Sequence, residues 1–292
     1  MKTKITLPFF HIDQLIYPFI RGAFVCKKGT YLDGFFLVDS GSSVNIFNKE
    51  ALHLLSEESF CEETFKVDAF NNEGEECQVT NVSIKVGDIE CIELFNVSQN
   101  LDFSSYFGKN RIIGILGVGF MLRNGLVLDY SQQCVRSSEI SKFIHDGKSF
   151  ACPMNGGINA YGIPLICMVG NSDDFLCVVD SGCNISTITQ YAMENGAKSF
   201  EHIDGKYSLQ SISGESYTDL AKVDFSLLSV KEEGNNYVPD TDVFQVVTNL
   251  EYICRHDNED IPPIYGLISS SFMLRNKWIL DFNVRFIYAN AS

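Results

Sequence analysis

The sequence predicts a mainly β protein made of two duplicated halves, and this prediction rests on three observations. The tripeptide Asp-Ser-Gly occurs twice, at residues 39–41 and 180–182, each time after an apolar run that is typical of a buried strand. The pentapeptide Phe-Met-Leu-Arg-Asn also occurs twice, at residues 120–124 and 272–276. Both motifs follow in the same order in each half, so we interpret the chain as an internal duplication.

Each half is expected to run strand, turn, strand and then the Asp-Ser-Gly loop. A short helix follows the loop, over 49–55 in the first half and over 190–195 in the second. Thr189 is expected to cap the N-terminus of the second helix and Gly196 its C-terminus. An apolar strand, a helical turn at the pentapeptide and a last strand then close each half. The second half carries eleven additional residues, for which the acidic segment 231–236 is a candidate.

Length and charge limit the possible functions. The 292 residues suffice for two lobes, expected over 1–145 and 146–292. A net charge of −15 disfavours nucleic acid and anionic membranes as partners. The apolar-rich stretch 5–24 is interrupted by charged residues and prolines, so no membrane span is expected. The start does not resemble a secretory signal, which favours a cytoplasmic protein; the alternative, if the chain is a processed form, is an extracytoplasmic location.

The cysteines and histidines do not predict a metal centre. None of the ten cysteines forms a Cys-x-x-Cys pair, and the five histidines are scattered without the spacing of metal ligands. Several cysteines lie inside apolar strand patterns, where a free thiol packs as a small hydrophobic group. We therefore expect mostly reduced, structural thiols, no metal and no cofactor, and leave a disulfide or metal role as the alternative.

Two motifs together carry a family resemblance. The first is the pair of apolar strands that each end in Asp-Ser-Gly. The second is an apolar segment that leads into Phe-x-x-Arg and a last strand, at residues 115–129 and 267–281. With both motifs in order and present twice, the whole chain resembles the pepsin and retropepsin class of aspartic peptidases. The resemblance implies two β lobes related by pseudo-twofold symmetry, with a peptide-binding cleft between them.

The resemblance also implies a catalytic dyad of Asp39 and Asp180, one from each lobe. Two neighbouring carboxyl groups cannot both ionise easily, so such a pair holds one proton and titrates as a unit. Gly41 and Gly182 are expected to let the backbone turn tightly and bring amides toward the carboxylates. The alternative for Asp39 and Asp180 is an ordinary turn role after a strand, since Asp-Ser-Gly suits turns.

The remaining loop residues are expected to support the dyad. By analogy with the family, Ser40 and Ser181 are expected to brace the two loops through hydroxyl-to-backbone hydrogen bonds. Ser42 is expected to donate to the outer oxygen of Asp39, whereas its counterpart Cys183 is a weaker donor. This difference predicts that the two aspartates are inequivalent.

Three further features have structural and functional interpretations. Arg123 and Arg275 are interpreted as structural residues. Ser269 stands where the first half has Gly117, which puts the geometry of the second loop in doubt.

Two polar turns are interpreted as flaps over a substrate or as plain surface hairpins. The candidate flap residues are Phe70, Asn71, Asn72, Gly74, Ile212, Ser213 and Gly214.

The sequence therefore favours an aspartic endopeptidase that acts on a peptide or protein substrate. Both aspartates lie on one chain, so a monomer is expected to suffice for activity. The alternative is a non-catalytic peptide-binding or interaction protein that retains the fold. Retention of both acids favours the enzyme, because a binding protein has little reason to keep a costly buried acid pair.

Overall fold

The structure is a computed structural model that describes ten stretches of the chain. These are residues 5–12, 15–56, 59–67, 75–98, 110–154, 162–170, 174–211, 214–231, 234–248 and 264–290. Strands dominate them, which confirms the predicted mainly β class.

The strands are numbered in chain order. In the first half they are β1 (Thr6–Pro8), β2 (Phe10–Ile12), β3 (Leu15–Val25), β4 (Tyr31–Val38), β5 (Ile46–Phe47), β6 (Phe60–Val67), β7 (Glu75–Val86), β8 (Ile89–Val97), β9 (Ile112–Leu116), β10 (Leu126–Asp129) and β11 (Cys134–Ser137). In the second half they are β12 (Lys148–Pro153), β13 (Leu165–Val169), β14 (Asp174–Asp180), β15 (Ser186–Thr189), β16 (Ser199–Ser211), β17 (Gly214–Lys231), β18 (Gly234–Val247), β19 (Ile264–Ser269), β20 (Ile279–Asp281) and β21 (Phe286–Asn290).

The duplication predicted from the sequence is visible in the sheet topology. One sheet has the strand order β2-β3-β4-β9-β5-β8-β7-β6, and another has β13-β14-β19-β15-β18-β17-β16. Apart from the additional edge strand β2, the two orders correspond strand for strand. In each sheet the strand before the Asp-Ser-Gly loop pairs in parallel with the strand before the pentapeptide, β4 with β9 and β14 with β19. Each half thus forms one β lobe.

A third sheet joins the two lobes. Its order is β1-β11-β10-β20-β21-β12, with β10 of the first half paired antiparallel to β20 of the second. Leu128 faces Leu280 at the centre of this pairing, and the two leucines occupy equivalent positions in the repeat. The pseudo-twofold relation between the halves therefore passes between β10 and β20.

The short helices lie close to their predicted positions. A 3₁₀ helix spans Lys49–Leu54, and the α-helices are α1 (Val118–Asn124), α2 (Gln190–Gly196) and α3 (Ser270–Arg275). Thr189 caps α2 as predicted, since its hydroxyl accepts a hydrogen bond from the backbone N–H of Ala192 at 3.2 Å. The prediction for Gly196 is wrong. It is the last residue of the helix, where a Cβ would lie 2.5 Å from the ring of Phe175, and Ala197 is the C-cap.

Eight of the eleven additional residues of the second half lengthen one hairpin, since the spacing between equivalent residues rises from 141 at Phe47 and Ile188 to 149 at Val97 and Val246. Strand β17 has 18 residues where its counterpart β7 has 12, and β18 has 14 where β8 has 9. The hairpin turns where Lys231 pairs with Gly234, inside the candidate segment 231–236. Near this end, the Ser229 hydroxyl accepts a hydrogen bond from the Ala151 N–H at 3.0 Å. The insertion therefore extends the sheet of the second lobe and ties it to the joining sheet.

The described stretches contain free thiols and no membrane-spanning helix. The nine cysteines within the described stretches are all free, and five of them are buried. No helix among the described residues is long and apolar enough to cross a membrane.

Candidate active site

The two Asp-Ser-Gly loops emerge side by side from the interiors of the two lobes. Asp39 follows β4 directly, and Asp180 is the last residue of β14. The residues before them, Val38 and Val179, are buried to at least 99%. Close packing around these two valines therefore fixes the position of each aspartate. The Asp39 N–H also donates to the Leu116 carbonyl at 3.0 Å, which continues the parallel pairing into the loop.

The structure places the carboxyl groups of Asp39 and Asp180 side by side, each packed against the glycine of the opposite loop. The Gly41 N–H donates to Asp39 Oδ1 and the Gly182 N–H to Asp180 Oδ1, both at 2.8 Å. Neither glycine can be larger: a Cβ at Gly41 would lie 2.5 Å from the Asp180 Cγ, and one at Gly182 would lie 2.6 Å from the Asp39 Cγ. The glycines are therefore required by the closeness of the opposite carboxyl group.

The hydroxyls of Ser40 and Ser181 brace the two loops against each other. The Ser40 hydroxyl donates to the Val179 carbonyl at 2.6 Å and accepts from the Ser181 N–H at 2.9 Å. In the mirrored arrangement the Ser181 hydroxyl donates to the Val38 carbonyl at 2.7 Å and accepts from the Ser40 N–H at 2.7 Å. Both serines are fully buried, so these four hydrogen bonds fix the separation of the two carboxyl groups.

The surroundings of the dyad favour its protonated form. Burial raises the pKa of both Asp39 and Asp180, and the closeness of the second carboxyl group adds to the increase. Both residues nevertheless retain intermediate solvent exposure. The pair is thus arranged to hold one proton where a small molecule can reach it.

The structure corrects the predicted role of Ser42. Its hydroxyl donates to the Val44 carbonyl at 2.8 Å and not to the outer oxygen of Asp39. Cys183 does the same in the second loop, where its thiol donates to the Ile185 carbonyl at 2.8 Å. Ser42 and Cys183 therefore hold equivalent turns, and their difference is not a source of inequivalence between the aspartates.

A buried network supports the first loop from behind. Glu93 is 4% exposed and accepts hydrogen bonds from the Arg123 guanidinium and, at 3.0 Å, from the Asn45 amide. Asn45 Oδ1 in turn accepts from the Gly117 N–H at 2.9 Å. The chain Arg123–Glu93–Asn45 therefore ends on the backbone that packs against the loop of Asp39.

The second lobe repeats this network with different side chains. The Arg275 guanidinium and the Ser186 hydroxyl both donate to the Asp242 carboxylate, at 2.8 and 2.7 Å. The Ser186 hydroxyl also accepts from the Ser269 N–H at 3.2 Å. Arg275 and Arg123 are thus positioning residues of the loops, in line with their structural interpretation.

This second network also explains the serine at the glycine position. A Cβ at Gly117 would lie 2.5 Å from the Val44 carbonyl oxygen, so the first lobe requires glycine there. In the second lobe Ser269 is 1% exposed; its hydroxyl contacts Ser186 at 3.2 Å and accepts from the Phe272 N–H at 3.4 Å as the N-cap of α3. In the first lobe the long side chain of Asn45 reaches Gly117, which has no side chain. In the second lobe the equivalent positions hold the shorter Ser186 and the larger Ser269.

Sequence reasoning missed the acidic members of these networks, Glu93 and Asp242. The repeated arginines were the available signal, since an arginine that recurs at the same place in both halves suggests an ion pair with an acidic residue. Glu93 and Asp242 do not stand at either of the two spacings at which the motifs repeat, because eight of the eleven inserted residues lie before Asp242 and three after it.

The candidate flaps fall largely outside the described residues. Phe70, Asn71, Asn72, Gly74, Ile212 and Ser213 lie outside them, and Gly214 begins β17 opposite Ser211. The strands on either side form hairpins in both lobes, β6 with β7 and β16 with β17. The flap interpretation stays a prediction.

The arrangement agrees with a comparison to known structures. The aspartic proteinase from Irpex lacteus is similar to this chain with a TM-score of 0.55, over 99% of this chain and 98% of that one, at 12% sequence identity. This chain has the fold of a pepsin-like aspartic proteinase. No family model and no curated protein matches the sequence. The likeness therefore establishes the fold, and the chemistry has to be argued from the site.

Proposed function

We propose that this chain is an aspartic endopeptidase that hydrolyses peptide bonds with a water molecule activated by Asp39 and Asp180. One observation carries the proposal: two carboxyl groups from equivalent loops are held side by side, each against the glycine of the opposite loop, and both aspartates keep intermediate solvent exposure. The proposal treats 1–145 and 146–292 as the two lobes. Since both aspartates lie on one chain, a monomer is sufficient.

The residues present support each proton transfer of the hydrolysis. The ionised member of the dyad takes a proton from the bound water, whose oxygen then forms a bond to the peptide carbonyl carbon. The protonated member donates a hydrogen bond to the carbonyl oxygen as negative charge develops there. When the C–N bond breaks, a proton passes from the dyad to the leaving amine. The pair ends with one proton, as it began.

The buried position of the dyad is part of this proposal. Burial raises the pKa of both carboxyl groups, so the state with one shared proton persists toward higher pH than for an exposed carboxyl. The braces through Ser40 and Ser181 keep the two groups in place while charge moves between them. Nothing in this scheme requires a metal ligand.

The alternative is a peptide-binding protein that retains the fold without cleaving. Against it stands the cost of the acid pair: burying two like carboxyl groups in contact destabilises the folded chain, and binding alone does not need them.

A peptide-library assay separates the two functions. The wild-type chain, Asp39→Asn and Asp180→Asn are incubated with a mixed peptide library from acidic to neutral pH, and new termini are located by mass spectrometry. We expect cleavage by the wild type alone, blocked by a peptide mimic with a hydroxyl group in place of the scissile carbonyl. Cleavage that survives both substitutions would contradict the dyad. Peptide binding without cleavage at every pH would favour the alternative.

A further inference from the structure

The polar surroundings of the two aspartates differ at one buried pair of side chains. Tyr130 is 2% exposed, and its hydroxyl oxygen lies 2.7 Å from the hydroxyl oxygen of Ser270, which is fully buried. Tyr130 directly follows β10 in the first half, and Ser270 is the first residue of α3 in the second. Their contact therefore crosses the pseudo-twofold relation between the halves.

The direction of these hydrogen bonds is fixed by counting protons. The Ser270 hydroxyl donates to the Ser181 carbonyl oxygen at 2.7 Å, which uses its only proton. Tyr130 must then donate to Ser270. The hydrogen bonds run in one direction, from Tyr130 through Ser270 to the carbonyl of Ser181.

The chain continues through one peptide unit to the catalytic candidate. The Ser181 carbonyl and the Gly182 N–H belong to the same planar peptide group, and this N–H donates to Asp180 Oδ1 at 2.8 Å. A donor on the carbonyl of an amide polarises it and strengthens its N–H as a donor. Tyr130 and Ser270 thus strengthen the hydrogen bond that the ionised Asp180 accepts.

The first lobe lacks this pair. Backbone hydrogen bonds establish the equivalent positions: Val118 N–H donates to the Ser42 carbonyl and Ser270 N–H to the Cys183 carbonyl, both at 2.9 Å. Val118 is thus the counterpart of Ser270, and by the repeat Phe282 is the counterpart of Tyr130. Valine and phenylalanine have no proton to donate, so the peptide group beside Asp39 receives none from these positions.

We propose that Tyr130 and Ser270 are positioning residues that make the dyad unequal by favouring the ionised form on the Asp180 side of the pair. The inference rests on the proposed function for its catalytic meaning but concerns a property of the dyad that exists without substrate. It replaces Ser42 and Cys183 as the source of inequivalence between the aspartates.

Tyr130 keeps the proton that it donates, because the pKa values of the ionisable groups beside the dyad are raised. Burial raises the pKa of the Tyr130 phenol, and the charges of Asp180 and Asp39 raise it further. Burial and the Asp180 charge likewise raise the pKa of Cys183, which follows Gly182 in the second loop. Both groups are therefore protonated wherever the dyad titrates.

The test titrates the carboxyl groups directly. Protein labelled with ¹³C at the aspartate carboxyl carbons is followed by NMR against pH, with the dyad signals assigned from Asp39→Asn and Asp180→Asn. The variants are Tyr130→Phe and Ser270→Val, which copy the residues of the first lobe, and their combination. Tyr288→Phe is the matched control, because it removes a buried tyrosine hydroxyl from the joining sheet.

We expect the first titration midpoint of the dyad to rise by a few tenths of a pH unit in Tyr130→Phe and further in Ser270→Val, because a hydrogen bond to the ionised form is weakened. Tyr288→Phe should titrate as the wild type. The acidic limb of kcat/KM should move upward by the same amount while KM on the plateau is unchanged.

An unchanged or lowered midpoint in Tyr130→Phe would overturn the inference, whether or not Ser270→Val folds. The proposed function fails separately, if the wild type cleaves no peptide, because the titration needs no activity.

Discussion

Replacing Gly41 with alanine tests how closely the dyad is packed. The new Cβ would lie 2.5 Å from the Asp180 Cγ, whereas non-bonded carbon atoms rest at about 3.5–4 Å. The two groups must therefore separate by about 1 Å, and a displacement of this size at reacting groups reduces the rate by roughly 100-fold. Gly182→Ala should act alike, since its Cβ would lie 2.6 Å from the Asp39 Cγ.

The assay is kcat/KM for a cleaved peptide, with circular dichroism to show that each variant is folded. Gly119→Ala is the control: the atom nearest to its Cβ is the flexible end of Arg123 at 3.1 Å, and alanine suits the helix α1. We expect Gly119→Ala to stay within about threefold of the wild type, a loss of less than 1 kcal/mol in transition-state stabilisation. A folded Gly41→Ala with similar activity would refute the packing argument.

Three further predictions concern stability. Because the pKa of Asp180 is raised on folding, this group contributes most to stability below the ordinary carboxyl pKa, and its contribution is lost as the pH rises through the raised value. Asp180→Asn should therefore raise the melting temperature at neutral pH and not at acidic pH, and an equal change at both would contradict this. Glu93→Gln should lower the free energy of unfolding by about 2–4 kcal/mol in urea titration, because it breaks a buried network. Removal of the exposed Arg21 should leave stability unchanged, and equal losses would count against the network. Ser40→Ala and Ser181→Ala should each cost about 2–4 kcal/mol, since each removes two buried hydrogen bonds; losses below about 0.5 kcal/mol would argue against the brace.

The repeats made the fold predictable. Apolar runs before each Asp-Ser-Gly and the repeated pentapeptide marked the strands and helices that recur in both lobes, because buried strands and short capped helices have local signatures. The end of α2 was misjudged at Gly196. That glycine is needed for its closeness to Phe175, and sequence patterns do not show which glycines serve a turn and which a close contact.

The side-chain partners around the dyad were less predictable. The sequence predicts a hydrogen bond from Ser42 to Asp39 because the two residues are near in sequence. The Ser42 hydroxyl donates instead to the Val44 carbonyl. The doubt over Ser269 could be removed only with coordinates, since its compensation by Ser186 joins residues 83 positions apart. Tyr130 and Ser270 meet across the two halves, 140 positions apart, and no local pattern links them.

The most direct test of the account is the initial rate of hydrolysis of one cleaved peptide by the wild type, Asp39→Asn and Asp180→Asn, measured from acidic to neutral pH. If the two carboxyl groups act as one acid–base pair, the wild type gives a bell-shaped profile and either substitution lowers kcat by about 1,000-fold or more, with KM little changed. A variant that keeps a rate within about tenfold of the wild type would show that one carboxyl group suffices, and would contradict the dyad.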